Sequence, residues 1–242
     1  MDFLLNLNWL AVGQIILIDF LLGGDNAIVI ALACRNLPQS VRFRGILWGT
    51  VGAVAIRIVL IAFAVTMLQM PYLKIVGGLL LLWIGIKLIA EEGDGHGEVK
   101  ASDRLLTAIK TIIVADLVMS IDNVIAVASA AEQAGGENQL ALVVFGIMVS
   151  IPIVIWGSTI VLKLMERFPI IVTFGGGLLG YLAGGMLVSD VAIAPWIEAN
   201  CPELHFRMPG VDTSINIVSV VGTLVVVASG FVLSRKRVHA DS

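Results

Sequence analysis

Residues 15–33 read IILIDFLLGGDNAIVIALA, and residues 112–130 read IIVADLVMSIDNVIAVASA. An offset of 97 residues, from 15 to 112, superposes them with Asp19 on Asp116, Asp25 on Asp122 and Asn26 on Asn123. Each run is about the 20 residues that an apolar helix needs to cross a bilayer, yet each holds two carboxylates near its middle. Apolar similarity between spans arises readily by chance. Two aspartates and an asparagine at one spacing inside two such runs do not. The register continues into the next segment, where Gly49 meets Gly146. One inserted residue then brings Pro71 onto Pro169, and Gly77 and Gly78 onto Gly175 and Gly176.

Working outward from these segments, apolar stretches occupy about 8–33, 44–69, 71–90, 104–131, 139–162, 170–190 and 213–233. The 242 residues are 58% hydrophobic and 14% charged with 25 glycines, and the mean hydropathy is +1.00. A soluble domain carries about 25% charged residues, and a soluble chain this short cannot bury so much apolar side chain. A cytosolic enzyme, a nucleic-acid binder and a disordered chain are thereby excluded. Nothing has the ten-residue alternation of an outer-membrane barrel strand. The expected fold is all-α, a single integral membrane domain (1–242) bundling seven transmembrane helices. Each copy of the repeat (8–90 and 104–190) holds three spans, an odd number, so the second enters the membrane upside down. This is the inverted-repeat plan of many secondary transporters. A linker (91–103) joins the copies, and the helix over 213–233 stands outside them.

Basic residues orient the bundle by the positive-inside rule. Arg35, Arg42 and Arg44 lie between spans one and two, and Lys100, Arg104 and Lys110 between or just inside spans three and four. Lys163 and Arg167 follow span five, and Arg235, Lys236 and Arg237 follow span seven; the opposite loops offer only Lys74 and Arg207. The N-terminus is expected outside and the C-terminus inside (N-out/C-in), with the 91–103 linker cytoplasmic. No basic n-region marks a signal peptide, so the first span is expected to be retained. The two cysteines, Cys34 and Cys201, fall on opposite faces and make neither a disulfide framework nor a cysteine metal site.

An aspartate at a helix centre costs about 2.5–3.5 kcal/mol on insertion scales, so four cost about 10–14 kcal/mol. A bundle tolerates them when they are protonated, paired with a cation or wetted by a cavity. Carboxylate and amide oxygens are hard ligands suited to Mg, Ca and Mn, and two D-x5-D-N sets hold enough of them for a six-coordinate ion. On an ideal helix Asp19 and Asn26 lie about 20° apart, while Asp25 lies about 120° from Asp19. Gly23 and Gly24 give the first motif a place to unwind; Ser120 and Ile121 stand at the matching positions of the second. Two divisions of labour fit the spacing. Either all four carboxylates face the ion, or Asp25 and Asp122 bind it while Asp19 and Asp116 make structural bonds or relay protons. Arg57, deep in span two, is the candidate counter-charge or relay. A purely structural reading, in which the aspartates only pair with basic residues to hold helices together, is the lesser alternative, since one arginine neutralises one carboxylate of four.

Other features carry less chemistry. Lys74, Lys87 and Lys110 lie near helix ends and snorkel to the headgroups, and Trp9, Trp48, Trp83 and Trp196 mark span boundaries. The stretch EEGDGHGEV (91–99) with His96 reads as a solvated linker, and 191–212, with Glu198, Glu203 and His205, as a connecting loop.

DFLLGGDNAIVIA (19–31) and DLVMSIDNVIAVA (116–128) resemble the two signature segments of the TerC family of integral membrane proteins, and the short seven-span form resembles its YjbE-type branch of metal transporters. The resemblance runs over essentially the whole chain. It implies manganese export across a bacterial inner membrane, with links to tellurite resistance and to calcium or pH homeostasis elsewhere in the family. Carried over at matching positions, it makes Asp19, Asp25, Asn26, Asp116, Asp122 and Asn123 the metal-site region.

The expected function is therefore export of a divalent cation, Mn²⁺ first, by alternating access of the two repeats in exchange for H⁺. Crowded carboxylates repel one another, so protons can replace a departed metal. Antiport of Ca²⁺ or another cation is the nearest alternative. No G-x-x-x-x-G-K-[ST] loop is present, so ATP is not the direct energy source. No enzyme activity and no prosthetic group are expected. The expected partners are the lipid bilayer, the divalent metal and protons, not nucleic acid, and a homo-oligomer is compatible with the sequence. Two rivals come from other classes. One is an accessory partner that loads metal or stabilises membrane proteins. The other is an intramembrane aspartyl protease, for which GGD at 23–25 falls short because Leu22 takes the first glycine position of G-x-G-D.

Overall fold

The computed structural model describes residue 13 and residues 24–68, 70–90, 101–134, 139–201, 205–207 and 214–240. Among these are helices α1 (Gly24–Cys34), α2 (Gln39–Leu68), α3 (Leu73–Ala90), α4 (Ala101–Ala134), α5 (Gln139–Arg167), α6 (Ile170–Val188), α7 (Ala194–Asn200) and α8 (Ile217–Ala240). Five stretches of the described helices are long and apolar enough to cross a bilayer: Gln39–Ile61, Leu73–Ala90, Val144–Arg167, Ile170–Val188 and Ile217–Arg235. The chain is a polytopic helical membrane protein. Of the expected first span, α1 covers the end and residue 13 is helical, while the rest lies outside the described residues. The expected fourth span falls inside α4, whose 34 residues measure about 51 Å against a hydrocarbon core of about 30 Å. Trp48, Trp83 and Trp156 are all more than half exposed, an apolar surface suited to lipid rather than water.

Prolines set several helix starts. Pro38 precedes α2 and its carbonyl accepts from the Val41 and Arg42 amides, and Pro169 sits at the N-cap of α6 with φ −55°. A fixed φ near that value is already helical. Pro152 lies inside α5, which continues through it. The Arg42 guanidinium donates to the carbonyls of Arg35 (2.9 Å) and Leu37 (3.3 Å). Cationic donors there satisfy carbonyls at the C-terminal end of α1 and complement its dipole.

The described helices fall into two compact units. One comprises α1, α2, α4 and α5, and the other α3, α6, α7, the strand pair and α8. Each unit thus draws on both copies of the sequence repeat: the first takes the first two helices of each, and the second takes the third of each plus α8. In the first unit, the positions facing one another on α2 and α4 climb together. Gly45 meets Leu105, Gly49 meets Ile112, Gly52 meets Ile113, and Arg57 meets Asp116 and Ser120. The two helices run parallel.

The second unit packs α3, α6 and α8 through small residues. Gly176, Gly180 and Gly184 recur every four residues along α6, and a Cβ at Gly180 would fall on the backbone of Gly222 in α8. Close backbone approach through such a stripe is how membrane helices gain packing without a hydrophobic driving force. Gly180→Ala is expected to force these helices apart and cost about 1–3 kcal/mol, read as a lower thermal midpoint of the protein in nanodiscs.

Asp190 follows α6 and is fully buried. Its carboxylate accepts from the backbone amides of Tyr72 (2.9 Å), Lys74 (3.0 Å), Ile75 (3.4 Å) and Ala192 (2.9 Å). Two of these donors, Lys74 and Ile75, lie in the first turn of α3, where N–H groups have no partner within the helix, and Tyr72 immediately precedes it. Tyr72, at the bend before α3, has φ 66°, a left-handed conformation unfavourable for a side chain of its size. Burial alone would push the Asp190 carboxyl up, but the four backbone donors outweigh it and hold the group below its ordinary value. A lowered folded value means the carboxylate stabilises the fold above the unfolded value, about 4, and this contribution is lost as pH falls through the folded value. Asp190→Ala is expected to cost about 2–4 kcal/mol through the lost cap and unsatisfied amides. The stability gap to the parent should hold from pH 7 to about 4 and narrow below it, as followed by denaturation in detergent.

The described residues of the connection expected as a plain loop over 191–212 include regular structure. It holds α7 and an antiparallel pairing of β1 (His205–Arg207) with β2 (Ser214–Asn216), His205 opposite Asn216. That pairing takes up 214–216, so α8 starts at Ile217 rather than near 213, with Asn216 Oδ1 accepting from the Val218 amide at 2.8 Å. An asparagine at this position caps a helix N-terminus.

Candidate functional site

The buried polar groups of the first unit gather around α2 and α4. The Arg57 guanidinium donates through Nη2 to Asp116 Oδ1 at 2.5 Å and through Nε to Ser120 Oγ at 3.1 Å, while Ser120 Oγ donates to Asp116 Oδ2 at 3.2 Å. Arg57, Asp116 and Ser120 are 6%, 5% and 0% exposed. Both carboxylate oxygens of Asp116 are therefore engaged by the protein itself. Serine at 120, where the first motif has Gly23, supplies the hydroxyl that closes this triangle. In low dielectric an ion pair survives only with such further hydrogen bonds.

Asp25 lies in the first turn of α1, partly exposed, and accepts from the Asn26 amide at 2.8 Å. Helix α1 packs against α4, so the structure brings the helix that carries one aspartate of the first motif against the helix that carries the clamp. Asn26 is buried, and its Oδ1 has no hydrogen-bond partner among the described residues. A buried acceptor left unmade costs about 1–3 kcal/mol, so an oxygen kept in that state is available to a ligand. Asn123 is half-buried on α4. Asp122 lies on the same helix, but its side chain is outside the described residues, as is all of Asp19. Helix α4 runs unbroken through Ser120, Ile121 and Asp122, so the second motif is not unwound at the positions that match Gly23 and Gly24. Gly24 is helical and Gly23 lies outside the described residues.

Among the described residues no three His, Cys, Asp or Glu side chains cluster closely enough to hold a metal ion. The described motif oxygens are the Asp25 carboxylate and the Asn26 and Asn123 amides; a further buried hydroxyl, Thr50, is one that sequence reasoning passed over. Thr50 is 2% exposed on α2 and its Oγ1 also lacks a partner among the described residues. A cavity of about 460 Å³ on α6 and α8, lined by Ile170, Phe174, Leu178, Tyr181 and Val227 among others, is almost wholly apolar and has no charged group for a cation.

Residues 5–237 match the model of the integral membrane protein TerC family. The uncharacterized membrane protein YjbE of Bacillus subtilis is 46% identical over 173 residues, covering 72% of this chain and 77% of its own. The UPF0053 inner membrane protein YgdQ of Escherichia coli K12 is 28% identical over 178 residues, 66% of this chain and 73% of its own. YceF of B. subtilis, also an uncharacterized membrane protein, is 26% identical over 135 residues, 52% of each chain. No solved structure matches.

Proposed function

Because the chain belongs to the TerC family of integral membrane proteins, we propose that it exports a divalent cation, Mn²⁺ first, across the bacterial inner membrane in exchange for protons. The observation that carries the proposal is the set of acidic and amide groups repeated in two membrane helices, one of whose carboxylates, Asp116, is already neutralised within the protein. Hard oxygen donors in a bilayer suit a hard divalent ion, and an intramembrane ionisable group marks a pathway far more often than a structural need. The inner-membrane setting is supported by the name of the E. coli relative.

In this reading Asp25, Asn26, Asp122 and Asn123 ligate the cation. Asp116 anchors α4 to α2 through Arg57 and Ser120, and Asp19, its counterpart in the repeat, relays protons. Metal enters from the cytoplasm, binds between the two motif helices and leaves outward when the repeats exchange access. Protons then neutralise the vacated carboxylates for the return, so the inward proton gradient drives export.

Proteoliposomes of the purified chain test this. Mn²⁺ is expected to move only when a pH gradient is imposed, with a matching counterflow of protons. Metal binding without any flux would contradict transport and support the accessory metal-loading role instead.

A further inference from the structure

The inference concerns the second unit and stands apart from the exporter reading. The apolar cavity of about 460 Å³ is a groove along two spans, lined by Ile170, Phe174, Gly177 and Tyr181 of α6 and by Thr223 and Val227 of α8. Its floor lies where the helices meet: a Cβ on Gly177 would stand 3.2 Å from Thr223 Cγ2 and 3.4 Å from Val227 Cγ2. The Thr223 hydroxyl donates back to the backbone, shared between the carbonyls of Gly177 (3.1 Å) and Ser219 (3.2 Å). Its polar end is thus spent on the helices, and its methyl group packs at Gly177. On the rim, Ile170 and Phe174 are 75% and 68% exposed.

The groove has a basic end. Contacts between α6 and α8 run antiparallel: Gly184 meets Val218 and Ser219, Gly180 meets Gly222, and Gly177 meets Thr223 and Val227. The C-terminal part of α8 therefore lies at the end where α6 begins. There Arg167, in the last turn of α5, stands three residues before Ile170, exposed, with its guanidinium 5.7 Å from the centre of the Phe168 ring. Helix α8 carries Ser-Arg-Lys-Arg at 234–237, with Arg235 exposed. Across 163–170 and 234–237, five basic residues face one acidic residue, Glu166. From Ile170 to Tyr181 is about 16 Å of helix, half of a hydrocarbon core of about 30 Å.

We propose that this groove holds an acyl chain of an anionic phospholipid, with the headgroup phosphate at the basic end beside Arg167. The groove is as deep as one leaflet, and the positive-inside rule assigns its basic end to the cytoplasmic side. Lipid tails are as apolar as the groove, so burying a chain there gains little by itself. Selection comes from the charged end, where basic residues between spans bind anionic headgroups.

The experiment measures lipid retained by the full chain in native mass spectrometry, after phosphatidylglycerol or phosphatidylcholine with identical chains is added to the protein in detergent. The parent should retain phosphatidylglycerol at least about fivefold better. Arg167→Gln/Arg235→Gln should bring the two lipids within about twofold of each other. Thr173→Trp fills the groove from its lining and should lower retention of both lipids, with the basic end unchanged. Melting midpoints check that each variant is folded, and the arginine variant, altered only at exposed positions, decides if the tryptophan variant is not. Equal retention of the two lipids by the parent, or a preference unmoved by the arginine variant, overturns the proposal. Parent-like retention by folded Thr173→Trp overturns it too, since the lipid then sits elsewhere. So does a lipid-free parent that runs as a dimer, because a second copy then covers the groove.

Discussion

Arg57→Met is expected to destabilise the first helical unit by about 3–5 kcal/mol, because it leaves the Asp116 carboxylate buried without its cation. The side chain is nearly isosteric along its stem, so little of the loss comes from packing. Asp116 would retain only the Ser120 hydroxyl among the bonds described above, far short of compensating a charge in low dielectric. The double variant Arg57→Met/Asp116→Leu removes both charges, and well-packed apolar replacements for a buried pair are often neutral or stabilising. It should therefore recover most of the lost stability in chemical denaturation. The same double variant separates the two roles open to Asp116. Retained Mn²⁺ binding fits an anchoring carboxylate, whereas binding lost in a stable double variant makes Asp116 a direct ligand.

Asp25→Asn and Asp122→Asn are expected to have the largest effect on transport. Each substitution preserves shape and one oxygen but removes the negative charge that a divalent ion requires. Changing a residue that only supports a metal ligand costs about 10–100-fold, so loss of a ligand carboxylate should lower Mn²⁺ flux by at least about 100-fold. The folded state should tolerate both changes, since a neutral amide is cheaper to hold in a bilayer than a carboxylate. Flux in proteoliposomes, normalised to protein that still melts cooperatively, reads the effect. Parent-like transport by both variants would remove these residues from the site.

Much of the helical architecture is legible in the sequence because a bilayer imposes one simple requirement, about 20 apolar residues per span. The stretches at 71–90 and 170–190 reappear as Leu73–Ala90 and Ile170–Val188, bounded by Pro71, Pro169 and the polar Ser189–Asp190 corner. The repeat points to the motif helices through residue identity rather than hydropathy. What escapes is the pairing of groups distant along the chain. Asp190 reads as a charge at a span end, yet its role depends on amides up to 118 residues away. Arg57 is recognisable as a counter-charge, but its choice of Asp116, 59 residues on, depends on α2 and α4 lying parallel in one unit. Ser120 looks like a missing glycine until its hydroxyl is seen between the two charges. Thr50 is invisible for a different reason: one hydroxyl in an apolar run scarcely alters hydropathy, and only its burial without a partner distinguishes it.

The two copies have also diverged. Val154 stands 97 residues after Arg57, and Ile147 stands 97 after Thr50, so the polar face of α2 has no equivalent at those positions of α5. The repeat therefore supplies paired aspartates, while the counter-charge comes from its first copy.

The central claim is that a divalent cation binds at the duplicated motifs of α1 and α4. Anomalous scattering from crystals soaked with Mn²⁺ tests it most directly, since the signal identifies the ion and its ligands together. The account predicts one peak within coordination distance of Asp25 and Asn26 and of Asp122 or Asn123, with the Arg57–Asp116 pair intact beside it. A peak confined to the connection over 191–212, or to the 91–103 linker, with none between the motif helices, would contradict it.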